Sequence, residues 1–198
     1  MTTDLILALI VFAFASSITP GPNNIMLLAS GANFGLRRTV PHMLGISVGH
    51  AVMVALIGLG LLQVFEALPG LRSALMAVCA GYLLYLAWKI AHAAAPDAAR
   101  TDTQPFGFLQ AAAFQWVNPK AWYMAIYAQT HFAPETSAWT GALVVPVVFA
   151  MVNLPSVTVW AALGTQLRRW LAAPGRLRAF NITMALLLVA SLYPMLTG

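Results

Sequence analysis

Four side chains inside long apolar runs carry most of the chemistry this sequence can offer: Asn23, His50, Asn118 and Lys120. Lys120 stands ten residues before the end of a run from Phe106 to Thr130, about 15 Å along a helix at 1.5 Å per residue. A lysine at a helix centre costs on the order of 2.5–3.5 kcal/mol on insertion scales, so it either snorkels to the interface or faces a cavity. The distance is too long for snorkelling, which favours the cavity and an anionic partner such as a carboxylate. Asn23 and Asn118 offer donors and acceptors, either to a bound molecule or to loosened backbone. His50 can take or release a proton near neutral pH, and no Asp or Glu falls near the middle of an apolar run. It is therefore the available side-chain proton carrier, with a neutral imidazole held by a hydroxyl such as Ser47 as the competing reading.

Three of these residues, Asn23, Asn118 and Lys120, sit beside prolines that must interrupt a helix. Ile18-Thr19-Pro20-Gly21-Pro22-Asn23-Asn24 lies inside an apolar run from Leu5 to Leu28, and Asn118-Pro119-Lys120 lies inside Phe106 to Thr130. Proline lacks an N–H and clashes with the carbonyl four residues back, so Pro20 and Pro22 should free the carbonyls of Ser16 and Ile18. In hydrocarbon each freed group costs several kcal/mol unless protein or trapped water satisfies it. A broken helix at membrane depth is expected to line a cavity. Asn153 and Pro155 form a weaker expected break of the same kind, with a structural role.

Composition fixes the solvent. Of 198 residues 61% are hydrophobic and only 8% charged, against about 25% charged in soluble domains. The chain is read as an integral membrane protein, whose basic residues mark topology and not nucleic acid. A single cysteine, Cys79, excludes an intrachain disulfide, and His42, His50, His92 and His131 lack metal-ligand spacing. No cofactor motif is present. There is no Gly-x-Ser-x-Gly elbow, no His-Glu-x-x-His, no pair of embedded carboxylates and no phosphate-cradling Gly-Lys loop, so enzyme and nucleotide-driven readings fall away. The N-terminus has no positive n-region, and the first apolar run is read as a permanent span.

Six segments are long and apolar enough to span: Leu5–Leu28, Met43–Leu62, Ser73–Ala91, Phe106–Thr130, Ala138–Leu163 and Ala179–Thr197. In the second, Gly45-x-x-x-Gly49 would let another helix approach closely. Apart from Lys120, which sits within a span, eight of the Lys and Arg fall on one side and only Arg72 on the other, which puts both termini in the periplasm. A polar linker at 96–105 divides the chain into 1–95 and 106–198. Each half has three spans and opens on a span interrupted by proline and asparagine. Three is odd, so the second copy enters from the opposite face, as in an inverted repeat with a midplane site. A plain hairpin bundle with kinked helices is the competing layout.

Ser17-Ile18-Thr19-Pro20-Gly21-Pro22-Asn23, Gly45-x-x-x-Gly49, Gly81-Tyr82-Leu83-Leu84-Tyr85-Leu86-Ala87-Trp88-Lys89 and Asn118-Pro119-Lys120-Ala121, in that order, resemble the LysE/RhtB family of amino-acid exporters. The resemblance implies a bacterial inner-membrane secondary transporter exporting amino acids or close derivatives, with protons as the coupling ion. Carried over, it assigns substrate binding to Pro20, Gly21, Pro22, Asn23, Asn118, Pro119 and Lys120. Many members have an acidic or other polar residue where this chain has His50, so a carboxylate-based coupling does not transfer. The expected fold is all-α, with six transmembrane helices in two inverted three-helix repeats and helices one and four broken. The expected partners are a small-molecule amino acid, membrane lipid and a proton, and a homo-oligomer is compatible with this layout. Trp116, Trp122 and Tyr123 are candidate pocket walls or ordinary helix packing. A small channel or accessory membrane subunit is the alternative function.

Overall fold

The computed structural model describes residues 1–61, 63, 67, 69–92, 104–133 and 138–193. Among them the chain is helical, with no strand. The helices are α1 (Thr3–Ile18), α2 (Pro22–Phe34), α3 (Leu36–Gly58), α4 (Pro69–Ala91), α5 (Phe108–Phe114), α6 (Pro119–Phe132), α7 (Ala138–Trp170) and α8 (Pro174–Ala190), with a 3-10 turn at Gln115–Val117 between α5 and α6. Most of the 96–105 linker, with Arg100, Asp97 and Asp102, lies outside the described residues, as do Glu66 and Glu135.

α3 and the Gly141–Trp170 part of α7 are each long and apolar enough to cross a membrane. α1 and α2 make a third crossing if they are one span bent by 55°. The bend is where proline chemistry puts it: α1 stops at Ile18, and Pro22 takes the first position of α2, where its missing N–H costs nothing. Gly35 links α2 to α3 at φ 79°, a conformation glycine adopts without strain. Large apolar side chains face outward along the helices, among them Val11, Leu109, Met151 and Leu186, each at least 64% exposed. A soluble chain would bury such a belt, whereas a membrane protein can turn it toward lipid tails.

The interior holds two main apolar clusters. One joins Leu27, Ile46, Leu83, Leu86, Phe114 and Leu188; the other joins Leu9, Met53, Val54, Ala125, Val145 and Phe149. The helices approach most closely where they carry small residues. A Cβ on Gly31 would lie 2.1 Å from the Ala161 carbonyl oxygen, and one on Gly164 2.1 Å from that of Leu28, so α2 and α7 touch backbone to backbone. Gly45 and Gly49 lie against α5 in the same way, 2.3 Å from the Phe108 oxygen and 2.5 Å from the Ala112 Cα.

Two expectations about α7 and α4 need correction. The weak break at Asn153 and Pro155 is absent: α7 runs through Pro146 and Pro155 without interruption. A lone proline removes one helical bond, and flanking turns on both sides hold the helix together; the pair Pro20 and Pro22 with Gly21 between them removes too many. The spans also overrun their apolar cores: α4 begins at Pro69 and not Ser73, and α7 continues to Trp170. A helix does not stop where hydrocarbon stops, because water satisfies its polar end turns.

Candidate functional site

The C-terminal end of α1 leaves a row of carbonyls to which no next turn donates. Each finds a side-chain donor. Thr19 Oγ1 donates to Ser16 O at 3.0 Å, Asn24 Nδ2 to Ser17 O at 2.8 Å and to Thr19 O at 2.7 Å, and Trp160 Nε1 to Ile18 O at 3.0 Å. Lys120 completes the set. Its Nζ donates to Thr19 O and Thr19 Oγ1, both at 2.8 Å, and to Pro20 O at 3.2 Å. An ammonium beside a helix C-terminus also meets the negative end of the helix dipole.

The second break supplies that lysine. Asn118, at φ −101° and ψ 106°, caps α6 by accepting from the Lys120 N–H at 3.2 Å, with Pro119 at the first helical position. Lys120 therefore leaves the first turn of α6 toward the end of α1. Asn23 reaches across in the same direction: its Nδ2 donates to Gln115 Oε1 at 2.8 Å, and Gln115 Nε2 returns a bond to Asn23 Oδ1 at 3.2 Å. Gln115 is fully buried and also donates to Ala111 O at 2.9 Å, so the amide pair ties one break to the other.

Between the breaks lies a cavity of about 20 Å³, walled by Ser17, Gly21, Asn23, His50, Asn118 and Lys120 among others. A water needs about 10–15 Å³ on this measure, so the space holds a single water and not an organic ligand. Pro20, Pro22 and Pro119 shape the backbone but are not on the wall. Five of the residues singled out from sequence thus share one small chamber.

His50 is buried, with Nε2 at 3.4 Å from the Ala121 carbonyl and its ring edge-on to Phe149 at 5.1 Å. Its Nδ1 has no hydrogen-bond partner among the described residues. The expected hydroxyl partner, Ser47, is engaged elsewhere: it donates to Asn153 Oδ1 at 3.0 Å, and Asn153 Nδ2 donates to Ser17 Oγ at 3.1 Å. That chain links α3, α7 and α1 across the chamber wall. Trp116 and Trp122 do not line the chamber; Trp122 Nε1 donates to the Trp116 carbonyl at 2.9 Å, which locks the aromatic pair to the backbone of the 3-10 turn. Among the described residues no cluster of His, Cys, Asp or Glu could hold a metal ion.

Over residues 14–191 the sequence matches the family described as LysE type translocator. The chain belongs to the LysE family. It is 32% identical over 190 residues to the cysteine/O-acetylserine efflux protein of Salmonella paratyphi A, with 96% of each chain covered. It is likewise 32% identical over 192 residues to the protein of that name from Escherichia coli O1:K1, again covering 96% of each. No solved structure matches. A LysE translocator is a membrane transporter and not an enzyme, in keeping with the apolar helices.

In this LysE chain, sequence reasoning passed over Asn24 and Gln115. Both are buried amides in apolar surroundings, at 3% and 0% exposure, and that intramembrane cost is the signal that could have found them. Gly21 offers a first test. Its φ of 179° is ordinary extended backbone, so alanine strains nothing there, but the new Cβ would lie 2.7 Å from Lys120 Cδ and 3.2 Å from Nζ. The flexible end of Lys120 must move. Gly21→Ala is expected to reach the membrane in normal amount and to transport about tenfold more slowly, equivalent to ~1.4 kcal/mol; immunoblotting of membranes beside a transport assay checks both.

Proposed function

We propose that this chain is a secondary active exporter that moves small amino acids or close derivatives outward across the bacterial inner membrane, by alternating access around the chamber between the two breaks. The observation that carries this reading is the contact between Lys120 and the Thr19 and Pro20 oxygens. A zwitterion can insert into that contact without leaving a charge unpaired. Its carboxylate takes the Lys120 ammonium, and its own ammonium takes the Thr19 and Pro20 carbonyls that Lys120 releases. Asn23 and Asn118 then border the ligand, and Gly21 leaves room for it. At about 20 Å³ the chamber is closed around the lysine, which stands where a substrate ammonium would. Relatives named for cysteine and O-acetylserine efflux make that class the first to test.

The helix contacts support the inverted-repeat layout. α1 packs on α7 and, in the corresponding place, α5 packs on α3; α2 packs on α7 and α6 on α3; α4 meets α8. Each broken helix thus lies against the second helix of the opposite half, as a two-fold axis in the membrane plane requires. With both termini periplasmic, rocking of one half against the other opens the chamber to each side in turn. His50 on the chamber wall, whose Nδ1 has no hydrogen-bond partner among the described residues, is the proposed proton carrier.

Efflux of labelled amino acids from preloaded cells, with and without a protonophore, tests the proposal. Saturable efflux that the protonophore abolishes is the expected result. No efflux above the control strain across an amino-acid panel would favour a channel or accessory subunit.

A further inference from the structure

A larger cavity, about 70 Å³, lies at the other end of α2, bounded by α2, α3, α4 and the Gln104–Phe106 segment. It sits at the end of the bundle that carries Arg37, Arg38 and Lys89, the cytoplasmic end on the charge distribution. Most of its polar wall is already satisfied. Ser30 Oγ shares a hydrogen bond with Thr39 Oγ1 at 2.9 Å, and Asn33 pairs with Asn181 at 3.1 Å while donating to Ala29 O at 2.8 Å.

Two groups on the wall are not. His42 is 2% exposed, and neither ring nitrogen has a hydrogen-bond partner among the described residues. Burying an imidazole that way is costly; its ring lies against that of Phe106, 5.2 Å between centroids. Lys89 lies half-buried with Nζ 5.9 Å from the same ring, and it has no carboxylate counter-ion among the described residues. A half-buried cation and a buried imidazole without a hydrogen-bond partner among the described residues face one space. By the same measure that gives one water to the midplane chamber, 70 Å³ holds about five. That is close to the heavy atoms of a three-carbon amino acid.

We infer that this cavity is a second binding site, an entry site at the cytoplasmic mouth for a small zwitterionic amino acid. Lys89 takes the carboxylate, and the bare nitrogen of neutral His42 accepts from the ammonium. The inference rests on the export reading above for its direction, but the site stands apart from the midplane chamber: the two share no wall residue. The ligand enters here and passes along α2 to the breaks.

Equilibrium binding of L-[35S]cysteine, under reducing conditions, to the purified full chain in nanodiscs tests it. Wild type is expected to bind two equivalents. Lys89→Met and His42→Phe, which keeps an aromatic ring beside Phe106, are each expected to bind one, and Lys120→Met also one. A single wild-type equivalent that Lys89→Met and His42→Phe leave unchanged would overturn the entry site while the midplane reading stands. A single equivalent that survives Lys120→Met and disappears in both Lys89→Met and His42→Phe would uphold the entry site and remove the midplane one.

Discussion

Lys120→Met is expected to insert in wild-type amount and to lose export by a factor of a hundred or more. The size follows from what the ammonium does in the proposed cycle. Removing one partner of a desolvated charge pair costs about 3–5 kcal/mol, and ~1.4 kcal/mol is tenfold. Methionine keeps the length and apolar character of the stem, so packing beside Gly21 is preserved. Of the oxygens it abandons, the Thr19 carbonyl keeps the Asn24 Nδ2 donor at 2.7 Å, so the fold keeps most of its stability. Lys120→Arg should retain a little activity, because a planar guanidinium offers charge in a different shape. If Lys120 serves only to cap α1, the order reverses: methionine exports normally, and arginine, forced against Gly21, is the damaging change. Initial efflux rates normalised to membrane content separate the two orders.

The second large effect is structural. Gly164→Ala is expected to destabilise the protein by about 3 kcal/mol, the upper part of the ordinary range for overpacking. The new Cβ would lie 2.1 Å from the Leu28 carbonyl oxygen and 2.9 Å from the Ala32 N, and neither can give as a flexible side chain would. α2 must move off α7, and α2 is the helix that begins at the break. Gly31→Ala meets the Ala161 carbonyl from the other side and should do the same. Gly81→Ala is the control, since nothing lies within 4 Å of its Cβ position and alanine is the better helix former. Thermal unfolding in detergent, followed by loss of the monodisperse chromatographic peak, should show a large drop for the first two and none for Gly81→Ala. An unchanged midpoint for Gly164→Ala would mean that α2 and α7 do not meet this closely.

What the sequence made legible tracks what is local. Proline acts on its own helix, so the interruption at Pro20 and Pro22 and the restart at Pro119 could be read directly, and both are present. The cost of an intramembrane lysine is also local, and it pointed to a partner for Lys120 without naming one. The partner turned out to be the backbone of the other break, 100 residues away in the chain, and no periodicity specifies that. The same limit explains the amides. Asn23 and Asn24 are neighbours of one type, yet one turns to Gln115 and the other repairs α1, because successive positions of α2 face different helices. His50 was paired with Ser47 by nearness in sequence, but residues three apart on a helix can still reach different neighbours, and Ser47 finds Asn153. At Pro155 the local rule itself was applied too strongly: one proline in a long, well-supported helix bends it and does not end it.

The central claim, that the breaks and Lys120 form the path of a transported amino acid, is tested most directly by counterflow. Purified protein is reconstituted in liposomes loaded with unlabelled L-cysteine and diluted into trace L-[35S]cysteine under reducing conditions. The account predicts transient accumulation of label above its outside concentration with wild type and none with Lys120→Met. Label that enters wild-type and Lys120→Met liposomes alike, or only equilibrates without overshoot, would contradict it.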